Sequence, residues 1–430
     1  MVYALQEPKA MSDYLDVDFL TDLSLVNDPY PYFEHLRSMG PAVYLPKHNM
    51  VAVTGYDEGV AVLMDHGTFS SINSATGPLP PLPFEPESDD ISEQIRRYRG
   101  EMTFGAMLVT QDPPEHTRSR SLLMGLLTPN RLQENEQFIH TAAERTISSF
   151  IDKDRFEAVA EFARPMATLT IADLLGVPEE DHQEFCGLFG ALPGQIGGDT
   201  PLANNPMTEV AAHFYKYIEA RRRAPCNDAM TRLAQAKYPD GALPDIGEIV
   251  GHAAVLFGAG QDTTVRLIAA ALRTLGENLT LQSQVRDDRS RISSLVEEVL
   301  RMHGPVKAHF RLAQRRAKIG NVDVAPGMAV MLVEGAMSRD PRRFDAPNEF
   351  RLDRKNAQTQ LAFGRGIHMC VGAVLARKEA KLALEHLFNG TTDFRIDDSK
   401  HGPKIAPRYD YEPNYTQRAL SAVHIEFTKA

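Results

Sequence analysis

Apolar and polar positions follow clear periods along most of this chain. Ala42-Val-Tyr-Leu and Met50-Val-Ala-Val-Thr predict two short strands, with Pro46-Lys-His-Asn as the turn between them. Asp28 to Arg37, entered through proline, and Tyr56 to Asp65 predict short helices on either side. Residues 68 to 100 are irregular, and Gly77-Pro-Leu-Pro-Pro-Leu-Pro-Phe-Glu-Pro excludes helix and central strand. Residues 131 to 223 read as amphipathic helices with short breaks, one of them Ala191-Leu-Pro-Gly-Gln-Ile-Gly-Gly-Asp-Thr-Pro. Ile246 to about Leu275 reads as one long helix, with Asp245 and Glu248 as a capping-box-like start. Ile292, Leu295, Val296 and Val299 carry a helical period. Val322-Asp-Val-Ala-Pro-Gly and Met328-Ala-Val-Met-Leu-Val predict a hairpin, and Tyr411 to Phe427 includes an alternating strand. The class is mainly α with a small β region.

Composition narrows the picture. At 430 residues, 43% hydrophobic and 24% charged, the chain reads as an ordinary globular protein able to enclose a ligand. The 46 basic and 57 acidic residues give a net charge of −11, which argues against a nucleic-acid partner. Cys186, Cys226 and Cys370 are odd in number and far apart, which fits a reducing cytosol and a cytoplasmic location rather than a disulfide framework. The first residues lack an apolar signal core, and no stretch reaches the roughly 20 apolar residues of a membrane anchor. Residues 1 to 27 are polar and acidic and are expected to wrap the surface, with one catalytic domain over 28–430.

The chemistry concentrates between Leu361 and Arg377. Cys370 ends a glycine-rich loop, and a helix pattern starts behind it and runs to about Phe388, with Asn389-Gly390 as its stop. A thiol at a helix N-terminus feels the positive end of the helix dipole, which favours the metal-binding thiolate. Gly364 and Gly366 let the loop fold back and aim amides at the sulfur. Phe363 is placed to cover the sulfur, and Gly372 leaves room for a large flat group. His368 is placed to donate a hydrogen bond to an anionic part of it.

Phe363, Gly364, Gly366, His368, Cys370 and Gly372 resemble the haem-binding loop of the cytochrome P-450 family, and Ala376-Arg377 continue the match. The resemblance runs from about Asp28 onward and implies the cytochrome P-450 fold. It implies that Cys370 is the axial ligand of a haem b (iron protoporphyrin IX) and pushes electron density toward O–O cleavage. His116 and Arg120, four apart after Pro113-Pro114, match the family's propionate-binding pair, and Arg311 matches its further propionate arginine. In the long helix, Ala259-Gly-Gln-Asp-Thr-Thr matches the oxygen-activation motif. Asp262 and Thr263 are then its acid–alcohol pair, and Ala259 and Gly260 lie against the haem. Glu298 and Arg301 match a structural ion pair. Glu349 stands where many members have a third arginine, so Arg343 or Arg354 is expected to complete that network.

By the same resemblance the substrate pocket takes Phe104, Met107 and Leu108 from one wall and Leu192 from a roof formed with Leu188, Phe189 and Ile196. Leu256 joins from the long helix, Val306 and Ala308 from a strand, and Tyr415 and Thr416 from the last loop. Lys307 and His309 either face propionates or solvent or point to an anionic substrate, and the first is preferred because buried unpaired cations are costly. The implied activity is monooxygenation of a small or medium hydrophobic molecule by a monomer. O2 is the oxidant, and electrons come from an external 2Fe-2S ferredoxin and its reductase. Arg118, Arg365, Arg377, Lys378 and Lys381 suggest a basic patch that would steer such a ferredoxin. The alternatives are a haem-thiolate protein that uses peroxide or rearranges its substrate, and a haem-binding sensor. The Asp262-Thr263 motif speaks against both. A non-haem cysteine enzyme is a further rival, but Cys370 and His368 are a poor dyad at two residues apart.

Overall fold

In the computed structural model, which describes Tyr14, residues 17–190 and residues 206–430, the long helix is Ile246–Glu277. Asp245 caps it, its Oδ1 accepting from the Gly247 amide at 2.7 Å. Glu248 does not close a capping box. Its carboxylate takes hydrogen bonds from Ser119 and Tyr238 instead. Apolar faces all round make this a buried helix. It packs against helices Arg164–Leu175, Pro206–Arg223, Ile292–His303 and Ala373–Gly390, which together form the main core.

The strands are β1 (Ala42–Leu45), β2 (Met50–Val53), β3 (Phe69–Ser70), β4 (Arg155–Glu157), β5 (His309–Ala313), β6 (Ala317–Ile319), β7 (Val322–Val324), β8 (Ala329–Leu332), β9 (Thr391–Ile396) and β10 (His424–Lys429). One five-stranded sheet has the order β1-β2-β8-β5-β3, with β2 and β8 parallel and the other pairs antiparallel. A second sheet has the order β4-β10-β9, and β6 and β7 form a two-stranded ribbon.

Two expectations are corrected here. Val322–Val324 and Ala329–Leu332 are not each other's hairpin partners, because β7 turns back on β6 through Gly320-Asn321 and β8 lies inside the large sheet. The irregular region 68–100 contains a helix, Ser92–Tyr98, beside its proline-rich stretch. One of the breaks between the helices of 131–223 is a strand, Arg155–Glu157, which pairs with β10. The leading segment also does more than lie on the surface. Tyr14, Phe19 and Leu25 are buried with Tyr32, Phe33 and Leu36 against the large sheet.

Candidate active site

The loop before the Ala373–Gly390 helix is folded by its own amides. Cys370 N donates to Phe363 O at 2.9 Å, Gly364 N to Leu361 O at 2.8 Å and Met369 N to Gly366 O at 3.1 Å. Gly364 and Gly366 have φ of +65 and +71. Gly366 could carry no side chain, since a Cβ there would lie 2.3 Å from Leu63 O. A Cβ on Gly372 would meet nothing nearer than Cys370 Sγ at 3.9 Å, so the helix start is open there.

Cys370 is solvent-accessible yet sits deep among protein atoms, as a sulfur facing an internal space must. Burial pushes its thiol up, against the Gly372 amide and the Arg120 and Arg377 charges. The helix-terminal environment alone therefore does not produce a thiolate; a bound cation would have to supply the difference. Phe363 is half-buried, with the Arg377 guanidinium 4.4 Å over its ring.

Beside the loop, His116 and His368 stack with ring centroids 4.2 Å apart. Burial, Arg120 and His66 lower His116 to about 4. Burial and Arg311 lower His368 to about 2, against a bond with the Gln111 backbone. Both nitrogens of His116 and Nε2 of His368 are buried with no hydrogen-bond partner. Such orphans are costly unless something accepts from them. Arg311 is buried too, with Nη1 on Phe310 O at 2.7 Å. Arg120 donates to Ile367 O at 3.0 Å and to Met369 O at 2.7 Å, so it also holds the cysteine loop. Imidazole nitrogens left without a partner beside two guanidiniums fit an anionic group, and an accessible thiol behind an open helix start fits a flat metal-bearing ring. The residues present therefore fit a haem.

On the long helix, Ala259 and Thr263 share one face, and Thr263 Oγ1 donates to Ala259 O at 2.8 Å. Asp262 is held by Arg266 Nη2 at 2.7 Å. The same nitrogen lies 3.7 Å from Glu412. Burial raises the Glu412 carboxyl, with Arg266 opposing and Asp262 reinforcing. The position of Arg266 four residues after Asp262 is a signal readable in the sequence. A Cβ on Gly260 would lie 3.0 Å from Ile171, so this glycine makes room for the neighbouring helix.

The expected pocket residues divide. Phe104 (56% exposed) and Tyr415 (36% exposed) have free surface, and Met107, Val306 and Thr416 are half-buried. Leu108 and Leu256 belong to the main core and show little surface. Ala308 is sealed against Phe310 and Met331, so it is not a lining residue. Leu188 packs on the main core; Leu192 and Ile196 and the side chain of Phe189 lie outside the described residues. Lys307 is buried and His309 half-buried, and each meets a protein partner. Lys307 Nζ donates to Asn414 O at 2.7 Å, and His309 Nδ1 meets the Glu334 carboxylate.

Glu298 is buried and paired with Arg301 at 2.8 Å, and Arg354 rather than Arg343 completes the network. Burial alone would raise the Glu298 carboxyl, but the two arginines hold it below the ordinary range. The supposed basic patch is largely neutralised. Arg118 lies 3.6 Å from Asp240, Lys378 2.5 Å from Glu136 and Lys381 3.6 Å from Glu385, and Arg377 pairs with Glu297.

The family model described as Cytochrome P450 matches residues 185–403. Cytochrome P450 109 of Bacillus spizizenii is 30% identical over 88% of this chain and 87% of its own length. Cytochrome P450 monooxygenase PikC of Streptomyces venezuelae is 29% identical over 94% of this chain and 92% of its own. The solved structure of Mycobacterium marinum cytochrome P450 CYP150A6 in the substrate-free form superimposes with a TM-score of 0.91. It is 46% identical and covers 97% of this chain and 100% of its own.

Proposed function

This chain belongs to the cytochrome P450 family and is an oxidoreductase, and we propose that it inserts one atom of O2 into a small or medium hydrophobic substrate. One observation carries the reading: Cys370 ends a loop that Arg120 clasps, and beside that loop the stacked His116 and His368 rings keep buried nitrogens without a partner, an arrangement that fits a haem. Cys370 would hold a haem b, which when bound would supply the redox chemistry of O2 activation.

The chain's own residues then divide the work. His116, Arg120, Arg311 and His368 orient and neutralise the propionates. Thr263 presents a hydroxyl whose proton rests on the Ala259 carbonyl, and Asp262 supplies protons behind it. Asp262 can do this only when Arg266 lets it turn, because the ion pair at 2.7 Å fixes the carboxylate. Phe104, Met107, Val306, Tyr415 and Thr416 border the substrate. Electrons come from a 2Fe-2S ferredoxin, the protein works as a monomer, and the cytoplasm is its site. No helix among the described residues is long and apolar enough to cross a membrane.

The test is isotopic. Hydrophobic compounds are screened for a spin-state change of the ferric protein, and a responding compound is turned over under labelled O2 with ferredoxin and reductase. A product carrying one labelled oxygen atom is expected. An unlabelled product, or turnover that needs only added peroxide, contradicts the reading.

A further inference from the structure

The chain segment entering β5 is laced to the turn at Asn414–Gln417. The amides of Lys307 and Ala308 both donate to Thr416 O, at 2.7 and 3.2 Å, and Arg418 N donates to Pro305 O at 2.8 Å. Val306 pairs with Gln417 as an isolated bridge. Inside the turn, Asn414 Oδ1 accepts from Thr416 N at 2.9 Å, Thr416 Oγ1 at 3.0 Å and Gln417 N at 3.0 Å. The Asn414 main-chain carbonyl is left over, and Lys307 Nζ donates to it at 2.7 Å.

This lysine is expensive to keep there. It is 3% exposed, and among the described residues no carboxylate pairs with it. The charges facing it are Arg418 and Arg266. Arg266 is taken by Asp262 and approached by Glu412. Glu334, beside the Gly335 amide that donates to Lys307 O, is taken by His309. A buried amine with only arginines for neighbours sheds its proton readily. Burial first, then Arg418 and Arg266, lower Lys307 to about 7. A solvated lysine keeps its proton far above that, so acid favours any arrangement that lets Lys307 reach water.

We propose that Lys307 is a positioning residue for the substrate cavity: its amine tethers the Asn414–Gln417 turn, and acidification releases the tether and loosens the wall that carries Tyr415 and Thr416. The inference rests on the reading above that Val306, Tyr415 and Thr416 border the substrate. Without the tether the turn keeps its backbone bonds to residues 305–308, while Tyr415 meets Phe19 and Phe310 only edge-on, at 6.5 Å each. Substrate affinity should therefore fall with acid, through the shape of the cavity rather than through any charge on the substrate.

Amide hydrogen exchange on the haem-loaded protein tests this. After correction for chemical rates, a peptide spanning residues 411–420 should lose about tenfold of its protection between about pH 8.5 and about pH 6. The β9–β10 sheet serves as the reference and should not change. Lys307→Met should remove the pH dependence, and Lys307→Arg, charged at both pH values, should leave the peptide weakly protected throughout. Equal pH dependence in wild type and Lys307→Met overturns the proposal. So does a flat wild-type profile, which needs no variant to read. If the exchange results hold but Tyr415→Ala leaves the affinity of every spin-state ligand unchanged, the tether stands and the cavity-wall reading fails.

Discussion

Arg354 Nε meets Glu298 Oε1 at 2.9 Å across 56 residues of chain, and both side chains are shut away from solvent. The guanidinium also donates to the backbone oxygens of Ala346 and Glu349, at 3.1 and 3.0 Å. It therefore ties the Ile292–His303 helix to the meander that leads into the cysteine loop. Arg343 stays near the surface, with only a 3.4 Å contact to Thr359 Oγ1 and the Tyr56 ring. Arg354→Ala removes one of the two guanidiniums on the buried Glu298, leaves Arg301 in place and should cost about 1.5–3 kcal/mol. Arg343→Ala should cost no more than about 0.5 kcal/mol. Chemical denaturation of the two variants separates them, and equal losses would contradict the assignment.

A second prediction concerns pH. Glu379 lies fully buried on the cysteine helix beside Thr170, and burial pushes its carboxyl up to about 8. Between the ordinary glutamate value and about 8, the folded protein keeps a proton that the unfolded chain gives up. Stability from this site is present at acid pH and is lost as pH rises through that window. Glu379→Gln should be close to neutral near pH 4.5 and stabilising, on the order of a few kcal/mol, at about pH 8. Thermal unfolding across that range checks it; a variant that melts lower at both ends contradicts it.

Thr263 and Asp262 differ in what they touch. Thr263 Oγ1 bonds only within its helix, to Ala259 O, while Asp262 is locked to Arg266. Thr263→Ala should leave ligand affinity unchanged and divert electrons to hydrogen peroxide. Asp262→Asn should slow turnover by about 10²-fold or more. Peroxide yield per electron consumed measures the first effect, and an unchanged yield would count against the role of Thr263.

Because the cations around the cysteine loop are matched by Asp240, Glu297, Glu136 and Glu385, long-range steering of an acidic ferredoxin should be weak. Electron transfer should change by less than about threefold between about 50 mM and about 500 mM salt. A steep fall would show that the patch acts as a free basic surface.

Much of this site is written locally and could be read. The cysteine loop, the Asp262-Thr263 motif and the Glu298–Arg301 pair all lie within short spans where period and spacing carry the information. What escaped reading depends on distant chain. Arg354 finds Glu298 only through the fold. Gly260 shows its open side to Ile171, and a lone glycine in sequence does not say which way it faces. For a β7–β8 hairpin the local signals compete. Pro326-Gly327 looks like a turn, but Gly320-Asn321 is the better two-residue hairpin loop, and the unbroken apolar run of β8 marks a strand buried on both faces. Lys307 reads as misplaced in a pocket strand, and only the position of Asn414 explains it.

The central claim is that the Cys370 sulfur binds the iron of a haem, and the spectrum of the reduced, carbon-monoxide-treated protein tests it most directly. The wild-type protein should show the red-shifted band of thiolate ligation, and Cys370→Ser should lose it while the protein still folds. A variant that keeps the band, or a wild-type protein that stays colourless after haem supplementation, would contradict the account.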